Sequence, residues 1–470
     1  MSLQRPRCLL ITFQAPRMPG GGGEVRSYFL VRTAAEVFDL TVLNIGGMQG
    51  NGVVPDELRR LCSRVIEPVS EPELADTNAG RPKCRRAKWA NFLLTLAMPW
   101  RSNYRYFLPL MLQHVGGSIA SPGTAGILTR LAAAVWGSCC RIPPVTCFLF
   151  DRSWRKIRSS AIEIAEAKQF DVFWIEHTLA WPFAEQLLDC SGLRDAACIC
   201  SGHNVEFVVS RRQAERESSS YGRRWQRLQA RLMQRMETRA WRRSRVVLQC
   251  SEGDAMLTRS QAPGASVHCV PNGVDGRYFQ PAIRPRLSAV PTLLFTAGFG
   301  YGPNSEAVEW FLRHVFPKIR RIVADVRLLL AGSEADGLHE ALKKKGDISL
   351  DAVDWDSGPA DIRPCFDRGW VYVVPLQCGG GSRLKILEAM SMRVPVVSTT
   401  VGAEGVPYID GTHLLLADTP DDFVEQVVDL LRTPDRRAAL TEAAAEFVKL
   451  NYDWAGICSR AKEILQREFA

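Results

Sequence analysis

Nine short apolar runs recur along the chain, separated by segments long enough for helices: residues 8–13, 40–45, 171–176, 196–201 and 245–250, then 292–298, 326–332, 370–375 and 394–399. Their apolar character is continuous rather than alternating, which predicts strands buried on both faces. Such strands need parallel neighbours and crossover helices, so the pattern predicts an α/β fold of doubly wound, Rossmann-like sheets. At 470 residues the chain exceeds what one core can organise, and two large domains fit best. The turn- and arginine-rich stretch 272–291 is the expected hinge. This gives a first domain over 1–275, a second over 276–455 and a final helix over 456–470 that packs back on the first. Two such domains are expected to face each other across a cleft, with one wall for each of two substrates.

Hydrophobic residues at 46% and charged residues at 23% are ordinary for a globular chain, so extensive disorder is not expected. None of the 14 cysteines forms a C-x-x-C pair. The closest groupings, Cys139 with Cys140 and Cys198 with Cys200, lack zinc spacing, and several thiols lie inside apolar runs. A reducing cytoplasm is the expected compartment, and run 8–13 is too short for a secretory leader. The uncharged stretch 107–129 is interrupted by Pro109, Gly116, Gly117, Pro122 and Gly123, so a spanning helix is not expected. Segment 81–100, RPKCRRAKWANFLLTLAMPW, sets five basic residues before a tryptophan-bounded apolar run. A solvated turn leading into a core helix is expected there, with contact at a membrane surface as the alternative.

Residues 375–397, PLQCGGGSRLKILEAMSMRVPVV, place three glycines, an arginine, a lysine and a glutamate between two of the apolar runs. The stretch reads as strand, glycine turn, helix, strand. The turn then lies at the carboxyl end of a strand and the amino end of a helix, where open α/β sheets bind ligands and free N–H groups favour anions. The backbone of Gly379, Gly380, Gly381 and Ser382, with Arg383 and Lys385, suits a diphosphate. The Glu388 carboxylate suits the two neighbouring hydroxyls of a ribose. Together they describe a nucleoside diphosphate. A second glycine run, residues 20–23 in PRMPGGGGEVRS, follows the first strand and precedes a helix. Its prolines and contiguous glycines argue against a dinucleotide fingerprint, but Gly22 and Gly23 would let a ligand approach the helix start. A ligand-free loop is the alternative. Asp354 and Asp356 have the spacing of a metal-binding pair and are read as part of a loop.

These pieces resemble retaining GT-B glycosyltransferases of the group 1, or family 4, type. Matching segments occur in the expected order: PGGGGEVR, HNVE from His203, VPNGVD from Val270, FTAGFGYGPNSEAVEWF from Phe295, GGGSRLKILEAMSMRVPVVSTTVGAEGV from Gly379, and YDWAGI near the end. The likeness covers nearly the whole chain and is weak over 49–170. It implies GT-B architecture, with an acceptor-side first domain and a nucleotide-sugar-binding second domain. It also implies transfer of a hexosyl group from a nucleotide diphosphate sugar to an acceptor hydroxyl, with retention. The implied acceptor is a glycan, a polysaccharide precursor or a lipid-linked glycan. No metal and no cofactor are implied, the nucleotide sugar being a substrate. Glu388 matches the second glutamate of the family's Glu-x7-Glu motif and is the implied ribose ligand, whereas Gly380 stands where the first would be. The arginine and lysine that many members carry after the first strand of the second domain are absent from GFGYGPN. Gly300 in that loop joins the donor-binding set, and Arg383 and Lys385 are the implied replacements that stabilise the leaving group. His203 matches a histidine that sits beside the donor sugar; His177 is a weaker candidate, and a satisfied core histidine is the alternative for both. Two other readings are a nucleotide-sugar epimerase of the same architecture, and a non-catalytic membrane- or nucleic-acid-binding protein that retains the fold.

The net charge of +9 is concentrated between Arg211 and Arg245, where twelve arginines meet three glutamates. Arg223, Arg227, Arg231, Arg235, Arg239 and Arg243 stand four residues apart, and Trp225, Leu228, Leu232, Met236 and Ala240 form an apolar stripe on the same expected helix. The solvated face of a helix packed on the first domain is the expected role. An anionic membrane surface is the alternative, which would make the protein peripheral on the cytoplasmic face, and nucleic acid is not expected.

Overall fold

The computed structural model describes residues 5–45, 53–67, 157–217, 219–281, 288–378 and 383–469. The stretches 81–100 and 107–129, Cys139, Cys140, and the turn Gly379, Gly380, Gly381 and Ser382 lie outside the described residues. The described residues divide into two units, one holding those up to Val270 and from Cys458 onward, the other those within Pro271–Ile457.

The first unit contains β1 (Arg7–Thr12), β2 (Asp39–Asn44), β3 (Arg64–Ile66), β4 (Val172–Glu176), β5 (Ala197–Ser201), β6 (Val246–Gln249) and β7 (Ser266–Cys269). They form one parallel sheet in the order β3-β2-β1-β4-β5-β6-β7. The second contains β8 (Thr292–Thr296), β9 (Arg327–Gly332), β10 (Val353–Ser357), β11 (Val371–Val374), β12 (Val396–Ser398) and β13 (Leu415–Leu416), all parallel, in the order β10-β9-β8-β11-β12-β13. Each unit is therefore Rossmann-like, and each sheet reverses its strand order once, between β1 and β4 and between β8 and β11.

The central strands are buried end to end, as in the run Val371–Val374, because helices cover both faces. Helix α1 (Gly22–Val37) follows β1 and buries Val25, Phe29, Leu30 and Ala34 before Phe38 turns the chain into extended backbone. After β5 come α2 (Glu206–Arg216) and α3 (Ser220–Arg243), the latter capped by Ser219, whose hydroxyl accepts from the Gly222 N–H at 3.2 Å. On α3, Trp225, Leu232, Met233, Met236, Ala240 and Trp241 are buried, while Arg223, Arg227, Arg231 and Arg235 are exposed. Full burial of a large apolar side chain contributes about 1.5–3 kcal/mol, so this face commits the helix to the first unit.

In the second unit, α4 (Gly302–His314) follows β8, and α5 (Leu384–Ser391) joins β11 to β12 with Ile386, Leu387, Ala389 and Met390 inward. Helix α6 (Trp454–Phe469) begins in the second unit, where the Trp454 N–H donates to Val274 O at 3.2 Å. Its later turns belong to the first unit: Phe469 meets Phe38 edge-on at 5.7 Å, and Lys462 pairs with Glu36 at 2.8 Å. No helix among the described residues is long and apolar enough to cross a membrane.

Four strands go beyond the nine apolar runs: β3, β7, β10 and β13, the outermost strands of the two sheets. Asp354 and Asp356 thus lie on a strand rather than in a loop, and the Asp354 carboxylate accepts two hydrogen bonds from Arg327 of β9, at 2.7 and 2.5 Å.

Gly332 ends β9 at φ +140°, where an added Cβ would run into the carbonyl oxygen of Ala297, the residue after β8. Gly332→Ala is expected to lower the unfolding free energy by about 2–3 kcal/mol, combining left-handed strain with a backbone clash. A denaturant titration checks this; an unchanged midpoint would mean that the two strand ends are not this close.

Candidate functional site

In the second unit, chemically active side chains gather where the strand order reverses. From α5, the Lys385 ammonium donates to Asn304 Oδ1 of α4 at 3.0 Å and lies 4.5 Å from the Phe295 ring centroid. Asn304 is fixed in turn, its amide donating to Gly298 O at 2.9 Å. Lys385 therefore reaches from the segment after β11 to the segment after β8. Burial pushes the Lys385 ammonium down to about 7, with Arg383 acting in the same direction and Glu388 opposing. One helical turn on, burial pushes the Glu388 carboxyl up to about 7 against the pull of Lys385. Both groups carry their charge reluctantly, and each would be relieved by a partner of opposite character: an anion at Lys385, hydroxyl donors at Glu388.

Arg383 is 7% exposed and donates to Val401 O at 3.4 Å, so its guanidinium lies under the loop that follows β12. Beneath the site, Tyr372 of β11 and Thr296 of β8 share a buried hydroxyl–hydroxyl hydrogen bond of 2.7 Å that ties the two central strands. Gly300 lies in the loop after β8, and a side chain there would press on the Glu334 carboxylate, itself at a left-handed residue with φ 61°. At the edge of the glycine turn, Glu306 Oε2 of α4 lies 3.8 Å from Cys378 Sγ. Arg383, Lys385, Glu388 and Gly300 thus all belong to the segments that follow the second unit's central strands.

The first unit has a different cluster at its own reversal. His203, after β5, donates from Nε2 to Glu176 Oε1 at 2.7 Å, and Ser27 of α1 donates to the same oxygen at 3.2 Å. Glu176 ends β4 and is fully buried. Burial pushes its carboxyl up, but the charge and hydrogen bond of His203, together with Arg26, outweigh that and hold it below the usual range. With Nε2 engaged, the other ring nitrogen is directed at α1: a Cβ on Gly23 would lie 3.1 Å from His203 Nδ1. His203 and Gly23 are therefore neighbours. The start of α1, where Gly22 and Gly23 are expected to let a ligand approach, already has a carboxylate: Glu24 accepts from the Gly21 N–H at 2.7 Å and pairs with Arg17 at 3.0 Å.

His177 stands at φ 83° with its ring between Phe13 and His203, at 4.8 and 4.5 Å between centroids. Its Nδ1 accepts from the Leu179 N–H at 3.1 Å. Burial pushes its imidazole well below the ordinary range, with His203 and Arg26 pushing the same way, so it is neutral. Behind both histidines, Glu237 of α3 accepts from the N–H groups of Glu206 and Phe207 at 3.0 and 2.9 Å and from the Thr178 hydroxyl at 3.3 Å. One carboxyl so holds the first turn of α2 and the segment after β4. Burial pushes it up to about 8, Glu206 adding to the effect. Sequence reasoning passed over Glu176, Glu237 and Asn304. Glu176 had a readable signal, being an acid that closes an otherwise apolar strand.

With this geometry in place, the likeness to known proteins is informative. Residues 290–433 match the family model described as glycosyl transferases group 1, a range that contains β8 to β13 and every cation of the second-unit cluster. The second unit carries a group 1 glycosyltransferase domain. An "uncharacterized 44.6 kDa protein in cps region" of Klebsiella pneumoniae is 28% identical over 166 residues, 34% of this chain and 42% of that one. The GDP-mannose-dependent monoacylated alpha-(1-6)-phosphatidylinositol monomannoside mannosyltransferase of Corynebacterium glutamicum is 26% identical over 222 residues, 42% of this chain and 56% of that one. The chain spans about half the length of the curated relatives it matches. In fold, it is similar to Anabaena Alr3699/HepE, whose crystal structure holds UDP and glucose: the TM-score is 0.59 at 12% identity, covering 98% of this chain and 100% of that one. The two Rossmann-like units are those of the GT-B fold.

Because folding raises the Glu388 pKa, ionising this carboxyl opposes folding above about pH 7, and the opposition vanishes below its ordinary value of 4.5. Glu388→Gln is therefore expected to stabilise the ligand-free protein at pH 8 by roughly 1–2 kcal/mol, allowing for partial solvent contact, and to leave it unchanged near pH 4.5. Thermal melts across this range check it; a gain independent of pH would point to packing instead.

Proposed function

We propose that this chain transfers a sugar from a nucleoside diphosphate sugar to a hydroxyl of a glycan or lipid-linked acceptor. The observation that carries the reading is the grouping of Arg383, Lys385 and Glu388 at the strand reversal of a group 1 glycosyltransferase domain. Breaking the bond between the anomeric carbon and the phosphate oxygen leaves negative charge on the diphosphate. Arg383 and Lys385 are assigned to stabilise it, because cations held in a water-poor site act on developing charge at full strength. Glu388 is assigned to the ribose hydroxyls. Gly300 and the 379–382 turn are assigned to backbone contact with the donor. His203, its ring fixed by Glu176, is assigned to the sugar. Retention of configuration and independence from metal ions belong to the same reading. It is supported by the UDP and glucose in the Anabaena structure and by the phosphatidylinositol mannoside named as acceptor of the Corynebacterium relative.

Donor binding has a proton signature. An anion beside Lys385 raises its pKa, and ribose donors at Glu388 lower its pKa, both starting from about 7. Titration calorimetry with a nucleotide sugar, run in buffers of different ionisation enthalpy, is expected to show proton uptake at pH 8 and release at pH 6. A single sign at both pH values would remove one of the two assignments. In the same assay across uridine, guanosine and adenosine diphosphate sugars, Arg383→Ala and Glu388→Ala are each expected to weaken binding about 10- to 100-fold. His203→Ala is expected to leave free nucleoside diphosphate affinity unchanged while lowering turnover by a similar factor. Equal loss for diphosphate and nucleotide sugar would move His203 away from the sugar.

A further inference from the structure

Ten described arginines are ion-paired with an acid. Arg239 meets Glu185 at 3.0 Å, Arg259 meets Glu252 at 2.5 Å, Arg313 meets Asp347 at 2.6 Å, Arg363 meets Asp361 at 2.6 Å, and Arg393 and Arg436 each contact an acidic residue. The outer face of α3 departs from this pattern. Arg223, Arg224, Arg227, Arg231 and Arg235 are all exposed, and none has an ion-pair partner among the described residues. From Arg223 to Arg235 the helix rises about 18 Å, and five like charges lie on a band that winds through about 120° of its circumference. Like charges at i, i+4 spacing destabilise an isolated helix, and the buried opposite face of α3 offsets that repulsion. No acid of this helix answers them: Glu237, its one glutamate, is turned inward to the α2 start.

We infer that this arginine face is a docking surface for an anionic membrane, held by charge alone. Two observations fix its character. Trp225, Leu232, Met233, Met236, Ala240 and Trp241 of α3 are consumed by the first unit's core, and none of the described exposed large hydrophobic residues lies on α3, so the described side chains of the arginine face offer nothing to insert among acyl chains. The contact is therefore with lipid headgroups, reversible and sensitive to salt. Among its described side chains the same face presents no exposed aromatic ring of the kind with which proteins stack single-stranded nucleic acid. A headgroup layer is a flat field of negative charge and engages all five guanidinium groups at once.

Flotation of the full-length protein with vesicles tests this. Vesicles of phosphatidylcholine with about one third phosphatidylglycerol are expected to capture the protein at 50 mM salt, roughly, and to release it near 0.5 M. Pure phosphatidylcholine is expected to leave it in solution. Each basic residue near such a surface contributes about a fivefold gain in partitioning. Changing Arg223, Arg227, Arg231 and Arg235 together to Gln should therefore lower vesicle binding by roughly 600-fold. The four side chains are exposed, so the melting temperature should stay within a few degrees, and single Arg→Gln variants give graded losses should the fourfold variant fold poorly. Undiminished binding by the variants, equal binding to neutral vesicles, or tighter capture by RNA than by anionic vesicles at the same salt would overturn the proposal.

Discussion

A parallel sheet that reverses its strand order leaves two neighbouring strands whose onward segments depart to opposite faces, and everything chemical in this chain depends on that divergence. At β8 and β11 it opens a place that neither segment closes. Tyr372 and Thr296 hold the two strands together beneath it through a buried 2.7 Å hydrogen bond, so the base of the site is rigid. Lys385 then crosses from one side to Asn304 on the other. The first unit repeats the topology at β1 and β4 and fills it with a histidine and a carboxylate instead of cations.

Each site is expensive in folding terms. Lys385 and Glu388 are both displaced to about 7, and Glu237 to about 8, by burial. An apolar pair at 385 and 388 would serve the core better, since desolvated charges stabilise little even when paired. A ligand that brings opposite charge and hydroxyl donors changes the balance. The unfavourable desolvation already incurred on folding is then not incurred again on binding, which is what preorganisation means in electrostatic terms. Glu176 follows another logic. It is held ionised by His203 and Arg26 with Ser27 donating to it, and so fixes a ring rather than waiting for a ligand.

How far the chain can be read from its residues follows from the same physics. The Rossmann-like fold was legible because the central strands are buried on both faces and must be continuously apolar. β3, β7, β10 and β13 were not, since an outermost strand has one unpaired edge and needs no such run. Arg64–Ile66 is partly exposed throughout, and VDWDS at 353–357 carries two aspartates, one of them bound to Arg327. In the second unit, Arg383, Lys385 and Glu388 were legible because one short segment carries all three. Asn304 and Glu237 were silent because their roles depend on partners 81 and about 30 residues away, which no local pattern encodes.

The two reversals also differ in sign, and this decides which suits a diphosphate. A helix start attracts anions only while its N–H groups are free. At α1 the Glu24 carboxylate accepts from the N-cap Gly21 N–H and pairs with Arg17, so an arriving phosphate would meet a carboxylate beside the helix start. Of the residues beside it, Glu176 and a neutral His177 add no positive charge, while His203 is spent on Glu176 and Arg26 on Val270 O and the field of Glu176. At α5 no acid precedes Glu388, and the cations Arg383 and Lys385 stand at the helix start itself. Charge therefore favours the diphosphate at the second unit. The first unit, with a buried His–Glu pair that presents one ring nitrogen, is suited to a neutral polyhydroxyl group, where one fixed hydrogen-bonding group discriminates better than a field.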